Sequence, residues 1–155
     1  MTDIISAILS VIELIPAFVD MINKQAENTK GLERSLILEM KANAELIQLH
    51  RDGEVTADEV IKQLEIDKLE KALGSDFKFT SIKRGKLKAK STARIAFFEK
   101  YIGWTTEELF ENMYLKIKVL KKYLEMTPEN FRIRKDVRLI NVLKLIKLII
   151  IHIDE

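Results

Sequence analysis

Cysteine is absent from this chain of 155 residues, and that absence excludes several chemistries at once. No disulfide framework, thiolate zinc site, iron–sulfur cluster or cysteine nucleophile can be built. Histidine is nearly as scarce, with two copies. His50 and His152 each fall near the end of a helical segment, where an imidazolium favours the helix dipole, and both read as caps rather than ligands. No metal and no cofactor is therefore expected. Proline occurs twice and glycine five times, too rarely for a linker-rich, collagen-like or disordered chain.

Catalytic signatures are missing as well. A di-iron bundle needs Glu-x-x-His pairs, yet Ile47 and Ile149 occupy the positions three before the histidines. Gly85-Lys86 is no P-loop, because Leu87 replaces Ser/Thr and Thr80 replaces the first glycine. G-x-G-x-x-G, H-E-x-x-H and G-x-S-x-G are absent. In size and helicity the chain resembles the HEPN-type ribonucleases, in which an arginine stands a short spacing from a histidine. Asn43, Ala44, Glu45 and Leu145, Ile146, Lys147 occupy those places here, so the nuclease chemistry does not carry over.

What is present is apolar and charged in a ratio typical of a folded domain, 47% hydrophobic and 32% charged. A chain of this length buries roughly two-thirds of its unfolded surface, enough for a full core, and residues 1–155 read as a single domain. Thr2 and Asp3 precede the first apolar stretch where a secretory signal would be basic, which predicts a cytoplasmic address. Net charge is +2, but residues 1–76 carry 8 Lys/Arg against 15 Asp/Glu, and residues 77–155 carry 18 against 9. Either the acidic half packs on the basic half, or the basic half meets an anionic partner.

Punctuation cuts the chain into helices. Gly31, Gly53, Gly74 and Gly103 each follow an apolar periodic run, as C-terminal caps do, and Gly85 lies in a basic loop. Thr56 with Glu59, and Thr105 with Glu108, form capping boxes flanked by the staple pairs Val55/Val60 and Trp104/Leu109. Thr127, Pro128 and the Met126/Phe131 pair mark the last helix start. Between the marks, apolar residues recur at helical spacing: Leu36, Met40, Ile47; Ile61, Leu64, Leu69, Leu73; Phe110, Met113, Ile117, Leu120, Leu124. Helices are predicted at about 3–29, 33–51, 57–73, 92–102, 106–125 and 128–152. The fold class is all-α: an antiparallel bundle of about six helices with a basic extended loop or short hairpin near 76–90.

The two ends are greasier than the middle. From Ile4 to Ile22 only Ser6, Ser10, Glu13, Pro16 and Asp20 interrupt the apolar run, and Pro16 is expected to kink this first helix. From Leu139 to Ile153 the polar strip narrows to Asn141, Lys144 and Lys147. Both helices ask for burial on most sides, chiefly against each other. Their surplus surface suggests a protein partner or a homo-oligomer, with Ile5, Ile8, Ile12, Ile15, Ile146, Ile149 and Ile150 as candidate interface residues. A membrane-active role for the first helix is a further reading, opposed by Glu13 and Asp20, each costing a few kcal/mol in a bilayer.

Between Asp76 and Glu99 there is no acidic residue. Phe77-Lys78-Phe79 and Lys86-Leu87-Lys88-Ala89-Lys90 alternate apolar with basic, the period of an extended chain, with Arg84-Gly85 as its turn. Lys83, Arg84, Lys86, Lys88, Lys90 and Arg94 are the candidate residues for an anionic ligand or nucleic acid bound through segment 78–94, with Ser91 and Thr92 at a helix N-terminus suited to phosphate. Taken together, the sequence points first to a non-enzymatic interaction module acting through protein–protein or homo-oligomer contacts, and second to anion binding.

Overall fold

The computed structural model describes residues 14–92, 95–126 and 134–155. Among these the chain is all-α. Its helices are α1 (Pro16–Glu27), α2 (Gly31–Arg51), α3 (Ala57–Gln63), α4 (Asp67–Leu73), α5 (Ala96–Glu99), α6 (Thr106–Met126) and α7 (Lys135–Asp154). Two 3-10 turns, Phe79–Ser81 and Ala89–Thr92, lie between α4 and α5. One apolar cluster runs from Phe18 in α1 to Ile153 in α7.

α7 is the hub. Its apolar residues leave so little of its circumference polar that it must be surrounded, and α1, α2, α3 and α6 all pack against it. Every residue from Leu145 to Ile153 is buried. That includes Lys147, expected on the polar strip but 0% exposed, with its ammonium 5.4 Å from the ring centre of Phe18. A cation over an aromatic face recovers part of the attraction that water would give it. Lys144 is half-buried and lies over Phe97 in the same manner, 4.9 Å from the ring centre.

The helix ends follow the caps in two places and depart from expectation in three. Thr56 and Glu59 satisfy each other's backbone N–H, as do Thr105 and Glu108. Pro16, in contrast, starts α1 instead of kinking it: Ile15 is extended, and a proline at the first helical position forfeits no hydrogen bond. Among the described residues of segment 92–102, one α-helical turn is present, Ala96–Glu99. Gly31 opens α2 rather than closing α1. The expected last-helix start at Thr127, Pro128 and Phe131 lies outside the described residues, as does the segment before Leu14.

The segment expected as one helix over 57–73 is two, broken at Leu64-Glu65-Ile66. Leu64 and Ile66 are both buried, and residues two apart cannot share one face of a continuous helix. α2 holds the break open from two successive turns. The Asn43 side chain donates to the Glu65 carbonyl at 2.8 Å and accepts from the Glu65 N–H at 2.8 Å. One turn earlier, the Glu39 carboxylate accepts from the N–H groups of Lys68 (2.9 Å) and Leu69 (3.1 Å). α4 has no side-chain cap of its own at Ile66, so Glu39 satisfies donors that the first turn leaves orphaned. Burial pushes the Glu39 carboxyl above its ordinary value, and these two N–H groups oppose that push. From the other side, the Lys121 ammonium donates to the carbonyls of Ile61 and Lys62 at the end of α3.

Asn43→Ala is expected to remove both hydrogen bonds to the N–H and C=O of Glu65, lowering stability by about 2 kcal/mol and Tm by roughly 4–8 °C. Chemical and thermal unfolding measure this directly. A variant as stable as the parent would show that the kink does not depend on the clamp.

Candidate basic cleft at the start of α6

The basic segment forms no hairpin. Phe79 anchors its first part, buried against Phe110 of α6 with ring centres 5.3 Å apart and Phe77 edge-on at 5.1 Å. Its second part pairs with the residues that lead into α6. Lys86 and Thr105 form an isolated antiparallel bridge. Leu87 donates to the Trp104 carbonyl at 2.9 Å and accepts from the Gly103 N–H at 2.9 Å. Gly103 holds φ at +87°, a left-handed conformation that side-chain-bearing residues adopt only at a cost. Leu87 is buried while Lys86 and Lys88 are exposed. The alternation read from the sequence holds over 86–88, with the 103–105 segment as its partner, and ends at Ala89, which is exposed and begins a 3-10 turn.

A cavity of about 380 Å³ opens where this segment meets the start of α6. Phe77 and Phe79 form its apolar wall, Lys78, Lys83 and Lys86 supply cations, Thr80 and Thr105 supply hydroxyls, and Thr106 lines it with a hydroxyl already engaged within the protein. Glu107 is the acidic group on its lining. The start of a 21-residue helix adds the positive end of its dipole at the same place, with the Glu108 N–H taken by the Thr105 cap and Glu107 and Glu108 both in the first turn. Among the described residues, Lys78, Lys83, Arg84, Lys86, Lys88 and Lys90 form no ion pair.

Behind the cleft wall lies a relay that the sequence did not reveal. Thr106 is buried, and its hydroxyl donates to the Lys83 carbonyl at 2.8 Å. A hydroxyl has one proton to give, so at the 3.0 Å contact between Thr106 Oγ1 and His152 Nε2 the imidazole is the donor. His152, expected as a helix cap, is 1% exposed. Burial, followed by the charges of Lys83 and Lys88, depresses its pKa to about 4. The ring is neutral at pH 7 and ties α7 through Thr106 to the basic segment. Its position among Ile149, Ile150, Ile151 and Ile153 was the signal that it is buried. His50 does lie in the last turn of α2, where its two ring nitrogens contact the Val55 carbonyl (2.9 Å) and Asp136 (2.7 Å).

Of the other residues singled out from sequence, Arg84, Lys88 and Lys90 are exposed next to the cleft, and Arg94 lies outside the described residues. Ser91 and Thr92 do not stand at the start of a long helix, and the buried Ser91 hydroxyl has no hydrogen-bond partner among the described residues. Both are buried in a 3-10 turn, Thr92 bonds back to Ala89, and the helix that follows is a single turn. Ile146, Ile149 and Ile150, offered as interface residues, are 0% exposed and are core. Ile15 is half-buried against that core, while Ile5, Ile8 and Ile12 lie outside the described residues. Among the described residues no helix is long and apolar enough to cross a membrane, and no cluster of His, Asp and Glu could hold a metal.

A histidine held below its ordinary value binds its proton less readily in the folded chain than in the unfolded one. Stability is therefore complete above about pH 6.5 and falls as pH drops toward 4, by up to about 1.4 kcal/mol per pH unit. His152→Gln is expected to flatten that window relative to the parent in urea titrations at stepped pH. Parallel curves for the two proteins would contradict the neutral buried imidazole.

No protein-family model, curated protein or solved structure matches the chain, so the reading of this cleft rests on its own geometry.

Proposed function

We propose that the chain is an anion-binding domain whose ligand, a phosphorylated molecule or a single strand of nucleic acid, enters the basic cleft at the start of α6. One observation carries the reading. The acidic first half already finds cations on the helices, with Asp58 paired to Lys135 of α7 and Glu70 to Lys118 of α6. The cations of the basic segment have no such partner among the described residues. Part of the acidic half is thus neutralised without the segment, and a row of cations unpaired among the described residues around a cavity concentrates anions there.

The composition of the cleft supports a phosphate more than a simple carboxylate. Lysines, the hydroxyls of Thr80 and Thr105 and the positive end of the α6 dipole lie around the cavity, groups that phosphate oxygens use. Phe77 gives a partly exposed ring beside them, and sequence-tolerant stacking of a base on such a ring adds affinity to the electrostatic attraction. Exposed Arg84, Lys88 and Lys90 extend the positive field past the cavity, which favours a ligand with more than one charge. Glu107 works against binding and sets a limit on it.

Fluorescence anisotropy with a short single-stranded oligonucleotide, and calorimetry with inorganic polyphosphate, test the reading across salt concentrations. Changing Lys83, Arg84, Lys86 and Lys88 together to Gln is expected to remove the binding and to flatten its salt slope by about 0.7 per lost phosphate contact. The melting temperature should stay near that of the parent. Glu107→Gln is expected to act in the opposite sense and tighten binding several-fold. If binding were indifferent to all four replacements, the cleft would not be the site.

A further inference from the structure

A second group of cations meets where α5, α6 and α7 come together, away from the basic cleft. The contact of Thr106 with His152 at one end, and of Tyr123 with Arg138 at the other, sets α6 and α7 antiparallel. Lys116, midway along α6, therefore falls level with Lys144 of α7. Two turns beyond Lys116 on the same face, Tyr123 carries the Arg138 guanidinium 5.6 Å from its ring centre. From α5, Phe97 meets two ammoniums at once, those of Lys100 at 4.8 Å and Lys144 at 4.9 Å. Among the described residues, Lys100, Lys116, Arg138 and Lys144 make no ion pair. Half-buried Lys116 has its pKa held below the ordinary lysine value by burial and then by the charges of Lys100 and Arg138. Described carboxylates close by in the chain are engaged or turned aside. Glu125 pairs with Lys122, Asp136 contacts His50, and Glu99 stands two residues from Phe97, across the single turn of α5.

We propose that this surface lies against an anionic lipid membrane, with the four cations on phosphate headgroups and the aliphatic side chains beside them reaching just below. Like charges gathered without counter-ions raise the energy of the free protein. A plane of phosphates offsets that repulsion for all four cations together. Two observations favour a lipid surface over other anions. Three of the cations each have an exposed aliphatic neighbour: Ile102, 41% exposed, two residues after Lys100; Val119, 39%, one turn past Lys116; and Val137, 38%, just before Arg138. A bilayer interface takes up cations and aliphatic groups side by side, whereas nucleic acid or free phosphate gains nothing from the aliphatic groups. The rings of Phe97 and Tyr123, moreover, already have cations over them. They hold those cations in place and are less able to stack on a base.

The contact is peripheral, since no helix among the described residues is long and apolar enough to cross a membrane. Four cations near a charged surface give binding that is reversible and weakened by salt. The surface shares no residue with the basic cleft, which opens beside Phe77 and Phe79 at the start of α6, and it does not depend on that cleft holding a ligand. It also differs from the first helix, the segment that the sequence suggested for a membrane.

Co-sedimentation with vesicles tests this. Vesicles of equal parts phosphatidylglycerol and phosphatidylcholine should carry the chain down, vesicles of phosphatidylcholine alone should not, and added salt should release it. Changing Lys100, Lys116, Arg138 and Lys144 together to Gln should weaken binding roughly a hundredfold or more, at about fivefold per cation. Changing Lys83, Arg84, Lys86 and Lys88 to Gln should weaken it far less. Val119→Ser with Val137→Ser should weaken it several-fold, through the aliphatic contact. Lys116→Gln alone should raise Tm at low ionic strength, because it removes a half-buried charge repelled by its neighbours, which also shows that the variant folds. A parent that ignores the anionic vesicles overturns the proposal, and so does a four-cation variant that binds them as well as the parent. If the cleft replacements abolish vesicle binding instead, this surface is the wrong one. Serine variants that bind unchanged, or a four-cation variant that loses only an oligonucleotide, overturn the lipid as its occupant. A lower Tm for Lys116→Gln would show that the ammonium has a partner and overturns the charge argument.

Discussion

A helix that is apolar around most of its circumference has one stable place in water, which is the middle of something. α7 is that helix here, and the architecture follows from covering it. Each leucine or isoleucine taken fully out of water contributes about 1.5–3 kcal/mol, and α7 offers them without a break from Leu148 to Ile151. α1, α2, α3 and α6 supply the cover. The requirement is strong enough to carry Lys147 and His152 inside with their neighbours, each with a local remedy: an aromatic face for the ammonium, and a neutral ring bonded to Thr106 for the imidazole.

The cleft inherits its position from that packing. α6 lies along α7, and the relay from His152 through Thr106 to Lys83 fixes the height at which the basic segment crosses the start of α6. From there the bridge of Leu87 to residues 103 and 104 sets which side chains face out. Lysines stand in water because the alternate residues, Phe79 and Leu87, are claimed by the core. The charge asymmetry of the two halves resolves in the same way. Pairs between α3 or α4 and α6 or α7 neutralise part of the acidic half, and the basic segment is left over.

Much of the fold was legible in the residues. The capping boxes at Thr56 and Thr105 mark helix starts because they act through hydrogen bonds within four residues, and α2 and α6 fall within about two residues of their expected limits. The break in 57–73 was also written there, in the two-residue step from Leu64 to Ile66, but its cause was not: Asn43 and Glu39 stand a whole helix away. Pro16 shows the same division. Its fixed φ suits either a kink or a first turn, and only the extended backbone at Ile15 separates them.

For the candidate site, the sequence alone determined which cations are available, since an acid-free run between Asp76 and Glu99 needs no structure to be seen. It also determined the alternation that keeps Leu87 in and Lys86 and Lys88 out, because that depends only on the period of an extended backbone. What tertiary structure decided was their company. The helix start beside them is that of α6 rather than the one after Ser91 and Thr92, the histidine behind them arrives from the far end of the chain, and the isoleucines of α7 are enclosed rather than displayed. Those outcomes turn on contacts between residues distant in sequence, and local pattern, which records only what each segment prefers by itself, holds no information about them.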